Sequence, residues 1–241
     1  MLSFEKINCY LVAAFFLHLT CSVSPALSNN EFLELTVAER VETLEKIKSL
    51  QQIIHSIKAS VVQEKQLSSL KKKVTIEGTV TMAKPNMLRW DITKPEKSLT
   101  VIDGETMTVY HHKVKEAQIY AISENFVARN TMSFFATAMG GDLSEMEKKF
   151  TVNVFRKNEE IIFKLVPLSQ IAGRYLSTIM IYYDERSGLP KELDITTPKG
   201  DRTIIKLSNI KINPELKSDT FKIKLSSDVW ITNKSEEHIN N

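Results

Sequence analysis

Two hydrophobic periods divide the chain. Between Val37 and Lys65 the apolar positions Val41, Leu44, Ile47, Leu50, Ile54 and Ile57 fall three and four residues apart. That spacing gathers them on one stripe and predicts a helix across the whole stretch, which no glycine or proline interrupts. Thr36 stands where an N-cap belongs, and Glu39 three residues later completes a capping box.

Past Lys73 the period becomes two. Val74, Ile76, Gly78, Val80 and Met82 alternate with Thr75, Glu77, Thr79 and Thr81, which predicts a strand with one dry and one wet face. Pro85 ends it. Leu88, Trp90 and Ile92 then alternate with Arg89, Asp91 and Thr93 as far as Pro95. Further strands are predicted at Leu99 and Val101, at Met107 and Val109 after an Asp103-Gly104 turn, and from Ala117 to Ile122. One stretch departs from the pattern. Asn125 to Met139 has few β-branched residues, many helix formers, and Gly140-Gly141 as a stop, so a short helix rich in Phe and Met is expected there.

Strands resume at Phe150 to Val154, Ile161 to Leu165, Ile179 to Tyr183, Leu193 to Ile195, Ile204 to Leu207 and Phe221 to Leu225. Turns are expected from Asp184 to Gly188 and from Pro198 to Asp201. Short strands joined by tight turns make an antiparallel meander with one wet face and one dry face. About ten such strands should curl, and the helices have only the dry, concave face to pack on. The expected fold class is α+β, mostly β.

The N-terminus reads as an export signal. Lys6 supplies a weak positive start, Cys9 to Leu19 an apolar core interrupted only by His18, and Ala26-Leu27-Ser28 the small residues of a cleavage site. The apolar run falls short of the roughly 20 residues of a transmembrane helix. Residues 1–28 are therefore expected to be removed, with a domain over 29–231 and a polar tail over 232–241. A retained anchor, or lipidation of Cys21 behind the poor lipobox His18-Leu19-Thr20, are the alternatives. Both cysteines of the chain, Cys9 and Cys21, lie in that segment, so the mature domain must hold together without a disulfide.

Composition excludes several functions. A net charge of +3, from 32 basic and 29 acidic residues, is too mild for a nucleic-acid binder. The chain has only 7 glycines and no glycine-rich loop to cradle a phosphate. No nucleophile elbow, zinc-protease, P-loop or dinucleotide motif occurs. His111 and His112 are adjacent, so on a strand they point to opposite faces and cannot chelate one metal together. No enzyme, cofactor or metal is expected. Binding is expected instead, because one long apolar face has few helices to fill it, and Met is common on adaptable binding surfaces. Plain core packing is the competing explanation for every such residue.

Three segments, taken together, resemble the LolA family. They are LQQIIHSIKASVVQEKQ, VTIEGTVTMAKPNMLRWDITKPEKSLTVIDGETMTVY and ELDITTPKGDRTIIKLSNIKINPELKSDTFKI. The resemblance runs from about Lys48 to Ile231 and rests on the order of Gln63, Gly78, Pro85, Trp90, Pro95, Asp103-Gly104, Tyr110, Gly200, Thr203 and Phe221. It implies an incomplete antiparallel β-barrel closed by helices over an apolar cavity. It also implies a periplasmic carrier that takes acylated lipoproteins from an inner-membrane ABC transporter to an outer-membrane acceptor lipoprotein. Acting as a monomer without a cofactor, such a carrier would bind acyl chains through Leu88, Trp90, Ile92, Val101, Met107, Val109, Met132, Phe134, Phe135 and Met139. Where the family often carries an arginine that bonds to the covering helix, this chain has Lys84. Relatives of the same fold bind other lipids or act as sensors, so a carrier or sensor for another lipid or glycolipid is the alternative.

Overall fold

The structure, a computed structural model, describes residues 32–69, 73–123 and 146–234. The first part contains β1 (Leu33–Glu34), α1 (Val37–Gln52), β2 (Ser56–Gln66), β3 (Lys73–Ala83), β4 (Met87–Lys94), β5 (Ser98–Ile102), β6 (Thr106–His111) and β7 (Glu116–Ala121). The second contains β8 (Phe150–Lys157), β9 (Glu160–Pro167), α2 (Gln170–Gly173), β10 (Thr178–Asp184), β11 (Leu189–Thr196), β12 (Arg202–Ile212) and β13 (Trp230–Lys234). All these strands join one open sheet of 13 strands in the order β1-β8-β9-β10-β11-β12-β2-β3-β4-β5-β6-β7-β13. Neighbours are antiparallel except β13, which runs parallel to β7. The expected mostly β architecture is what is found. The predicted helix over Asn125 to Met139 lies outside the described residues.

The helix predicted over Val37 to Lys65 is instead a helix and a strand. α1 begins as expected, with the Thr36 hydroxyl accepting from the Glu39 N–H and the Glu39 carboxylate accepting from the Thr36 N–H. It ends at Gln52. There the Asn213 side-chain oxygen accepts from the backbone N–H of His55 (2.7 Å) and Ser56 (3.1 Å), while its amide donates to the Ile53 carbonyl (2.8 Å). These bonds come from a residue 160 positions away and take over the polar groups that helix continuation would have used. β2 follows, with Ile57, Ala59, Val61 and Gln63 buried between Lys58, Ser60, Val62 and Glu64. Ile54 and Ile57 fit both periods, which is why the helical pattern ran on too far.

The alternating face is continuous across the sheet. Cross-strand partners share a face, so the register can be followed from Val154 through Phe163, Ile181, Leu193 and Ile205 to Gln63. The rungs beside it continue through Leu207, Val61 and Gly78 to Ile92, and through Ala59 and Val80 to Trp90. We call this the inner face. It carries two apolar clusters. One joins β8 to β11 with Leu35, Ile47 and Met146; the other joins β2 to β5 with Ile54, Leu189 and the half-buried Trp90 and Met107.

The outer face of β4 to β7 is also covered. β12 ends far from β7 in the sheet, with β2 to β6 between them, yet β13 pairs with β7. Residues 213–229 must therefore cross that gap on one face. Arg89, on the outer face, donates to the Thr220 carbonyl at 3.3 Å, which fixes the crossing there. The strand predicted from Phe221 to Leu225 is part of this crossing and pairs with nothing in the sheet.

Candidate functional site

The inner face is filled unevenly. α1 lies over β8 to β11, burying Thr43, Ile47 and Gln51, which are four residues apart and so share one side of the helix. Two of those three are polar, so much of its anchoring is polar. The Gln51 amide donates to the Gly188 carbonyl at 2.6 Å, and Glu185 reaches both Lys46 (3.2 Å) and Arg156 (3.5 Å). At its C-terminal turn Lys84 Nζ donates to the Gln51 carbonyl at 3.1 Å. Lys84 thus contacts α1, sharing the Gln51 carbonyl with the Ile53 and Ile54 N–H groups, while the Phe- and Met-rich helix it was expected to meet lies outside the described residues.

Beyond the reach of α1 the face holds open space. A narrow apolar cleft of about 20 Å³ is lined by Val61, Val80, Met82, Trp90, Leu193, Ile205 and Leu207, spanning β11, β12 and β2 to β4. One step along β4, at Ile92, a wider cleft of about 300 Å³ opens at the rim of the sheet. Its floor is Ile76, Ile92, Pro95 and Val114, and its edge is Glu96, Lys97, His111 and Lys113. The Glu96 carboxylate accepts a hydrogen bond from Lys113 and raises the pKa of that ammonium. The site therefore has an apolar interior and a charged, mostly basic lip.

Five of the ten residues expected to line a cavity fall on this face. Leu88 is buried beside Met82 and Ile102, and Trp90 sits between Val80 and Thr100. Ile92 bridges to the rim cleft, and Met107 and Val109 continue the face on β6. Val101 does not belong with them. It pairs with Arg89 and is buried on the outer face, where Arg89 holds the crossing chain at Thr220. The Pro95–Lys97 turn resets the alternation, so a dry residue on β5 is not automatically an inner one; here Leu99 and Val101 are buried on the outer face, and Ser98, Thr100 and Ile102 stand on the inner one. Met132, Phe134, Phe135 and Met139 lie outside the described residues.

Val61, Ile205 and Leu207, absent from the expected set, are central to the cleft. The signal for Val61 was present in the Ile57, Ala59, Val61 alternation, hidden by the helical period overlapping it. Among the described residues no cluster of His, Cys, Asp and Glu could hold a metal ion.

This arrangement is matched by known proteins. The family model for the outer membrane lipoprotein carrier protein LolA covers residues 52–224. The chain belongs to the LolA family. Its members are periplasmic carriers of outer-membrane lipoproteins and perform no catalysis. An outer-membrane lipoprotein carrier protein of Coxiella burnetii (strain CbuK_Q154) is 26% identical over 149 residues, which is 62% of this chain and 67% of that one. A carrier of the same description from Pseudomonas putida (strain W619) is 23% identical over 148 residues, 61% of this chain and 66% of that one. An uncharacterized conserved protein from Thermus thermophilus shares the fold, with a TM-score of 0.50 at 14% identity, covering 81% of this chain and 99% of its own. The LolA match begins at the last residue of α1, so most of this covering helix precedes the matched region.

Proposed function

We propose that this LolA-family chain carries lipoproteins through the periplasm by holding their acyl chains on the inner face around Trp90. Leu88, Ile92, Met107 and Val109 extend the apolar wall, and Met132, Phe134, Phe135 and Met139 are proposed to close over it. In this reading the domain is exported with cleavage after Ser28, leaving residues 29–231 as the carrier domain. It receives cargo from an inner-membrane ABC transporter and yields it to an outer-membrane acceptor lipoprotein. The observation that carries the reading is a continuous, largely apolar face that is tightly packed on one half and left with clefts on the other.

The energetics suit a carrier. Transfer of an acyl chain out of water is worth about 0.8 kcal/mol per CH₂, on the order of ten kcal/mol for a long chain. Such a chain cannot be released into water at a useful rate, so handover must proceed from one apolar site directly to another. A site built from Met, Val, Leu and Ile holds chains without demanding one geometry, which suits cargo that shares only its acyl groups. The Lys84 contact joins the cleft half to the end of α1, and we assign it the part of holding that end down when the site is empty.

The test is mass spectrometry of what co-purifies with the protein from the periplasm of its host. Triacylated lipoproteins are expected, and they should be lost from a folded Trp90→Ala variant. Recovery of free lipids or glycolipids instead would replace this reading with a carrier of those molecules. An empty protein that also binds no hydrophobic probe would leave the inner face as plain core.

A further inference from the structure

Two buried side-chain nitrogens lack a hydrogen-bond partner among the described residues, Arg156 Nε and Trp90 Nε1; the Arg156 guanidinium is otherwise engaged with Thr43 and Glu185, whereas the indole has no second donor to engage. The indole N–H of Trp90 is buried and has no hydrogen-bond partner among the described residues. A buried donor without an acceptor is rare and costly, and such a group in a native protein calls for a reason. Nothing in its surroundings supplies one. The cleft that Trp90 lines is otherwise made of Val61, Val80, Met82, Leu193, Ile205 and Leu207, none of which has a side-chain acceptor oxygen. A phenylalanine would fill the same wall without the unsatisfied donor.

Position adds to this. Two unlike clefts follow one another along β4, and Trp90 lines the first. That one is the apolar cleft; one inner-face residue further on, Ile92 opens the wider cleft edged by Lys97, His111 and Lys113. A molecule lying along this path would put hydrocarbon over Val80 and Met82 and its polar head against the rim. The group passing Trp90 would be the linkage between them. In an acylated molecule that linkage is an ester or amide, and its carbonyl oxygen is the acceptor that the indole lacks.

We propose that Trp90 is a polar anchor, donating its indole N–H to the linkage carbonyl of a bound acyl ester or amide. The ligand class is then acyl esters and amides, rather than any hydrocarbon of the right length. This inference rests on the carrier reading, and it assigns a depth: the chain stops being hydrocarbon at Trp90. A hydrogen bond made only by the correct ligand discriminates sharply, because the analogue lacking the acceptor leaves the buried donor unpaired.

The experiment compares methyl dodecanoate with dodecyl methyl ether, which differ by one carbonyl oxygen. Both compete against an apolar fluorescent probe on the purified protein and on Trp90→Phe. The ester is expected to bind about fivefold tighter than the ether to the natural protein, from the typical net worth of one hydrogen bond. In Trp90→Phe that preference should disappear while both ligands still bind. An independent readout needs no variant. The chain has 2 tryptophans, and Trp230 is 74% exposed at the sheet edge. In a ¹H–¹⁵N spectrum the Trp90 indole proton should move downfield with the ester but not with the ether, while the Trp230 signal serves as the internal control. Equal binding of ester and ether, a preference that survives in Trp90→Phe, or an indole proton blind to the ester overturns the anchor and leaves the carrier reading intact. Failure of both ligands to bind overturns the two together.

Discussion

The two halves of the inner face obey the same alternation and end in different states. On β8 to β10, Ile161, Leu165 and Ile181 are wholly buried, and Phe163 meets Tyr183 edge-on with ring centroids 5.1 Å apart. On β2 to β6 and the adjoining β12, Trp90, Met107, Ile205 and Leu207 are only partly buried, and clefts remain between them. Composition does not separate the halves, since both are built from Ile, Val, Leu, Met and one to three aromatics. Cover does. α1 drops Leu44 and Ile47 onto the first half and meets the second at its final turn, through Lys84. Alternation decides which face of a sheet is dry. Whether that face becomes core or cavity depends on what stands on it.

The strongest way to break this comparison is to remove a large aromatic from each half. Phe163→Ala should cost about 3–5 kcal/mol in unfolding free energy, because its neighbours are held by both sheet and helix and cannot collapse into the void. Trp90→Ala should cost less, about 1–2 kcal/mol, since the side chain is half-buried and already borders open space. Urea unfolding of both variants measures the difference. Equal losses would mean that the cleft half is as tightly packed as the other.

Gly78→Ala comes next and acts on the cleft through the backbone. A Cβ at this position would lie 2.1 Å from the Asp91 carbonyl oxygen, at the irregularity where β3 and β4 shift register. The obstacle is main chain and cannot rotate aside. We expect a loss of about 1–3 kcal/mol, typical of overpacking, with weakened binding at neighbouring Trp90 and Ile92. Amide exchange confined to β3 and β4 would show the effect. Uniformly faster exchange in β8 to β10 would contradict the independence of the two halves.

These residues also show how far the sequence could be read. The capping box, the strands around Trp90 and the turns at Gly104, Gly188 and Gly200 were visible because each is a local rule, and all three glycines do take positive φ. β2 was hidden because what ends α1 is Asn213, a partner that no local pattern announces. Val101 was assigned to the wrong face for a related reason. Its strand buries Leu99 and Val101 on the outer side, where residues 213–229 cross, and the one alternating stretch of that crossing, Phe221 to Leu225, predicted a further strand. The unpaired indole of Trp90 could not be read at all, since an unmade hydrogen bond exists only in three dimensions.

Glu185 offers a smaller test of the cover itself. Its carboxylate ties Lys46 on α1 to Arg156 on β8. Glu185→Gln should cost about 0.2–1 kcal/mol, shrinking as salt rises, because the pair is partly exposed. Faster amide exchange in α1, without change in β8 to β10, is the expected signature of a looser helix over an intact sheet. Loss of protection in the sheet as well would mean that the packed half owes its packing to α1 more directly than its buried side chains imply.

The smallest effect concerns how each half is finished at its edge. On the packed side β1 leads into Leu35, a buried side chain whose N–H donates to the Val154 carbonyl at 2.9 Å. On the cleft side β13 is tied by charge. The Lys115 ammonium and the Ser226 hydroxyl both donate to the Asp228 carboxylate and hold its pKa down at about 2, against an ordinary value of 3.8. Between those two values the unfolded or detached segment binds the proton that the attached one does not. The stabilisation is therefore present above pH 3.8 and is lost as pH falls through the window toward about 2. Lys115 contributes nothing to this change, since its own pKa is raised from 10.5 by the same contact and titrates at the alkaline end. Because the pair is exposed, the loss should appear as local fraying of β13, read as faster exchange of the Trp230 to Lys234 amides at low pH, and not as global unfolding. Asp228→Asn should fray at every pH and show no dependence across the window. Leu35 has nothing to titrate, so the apolar tie at the other edge supplies the comparison within the same sample.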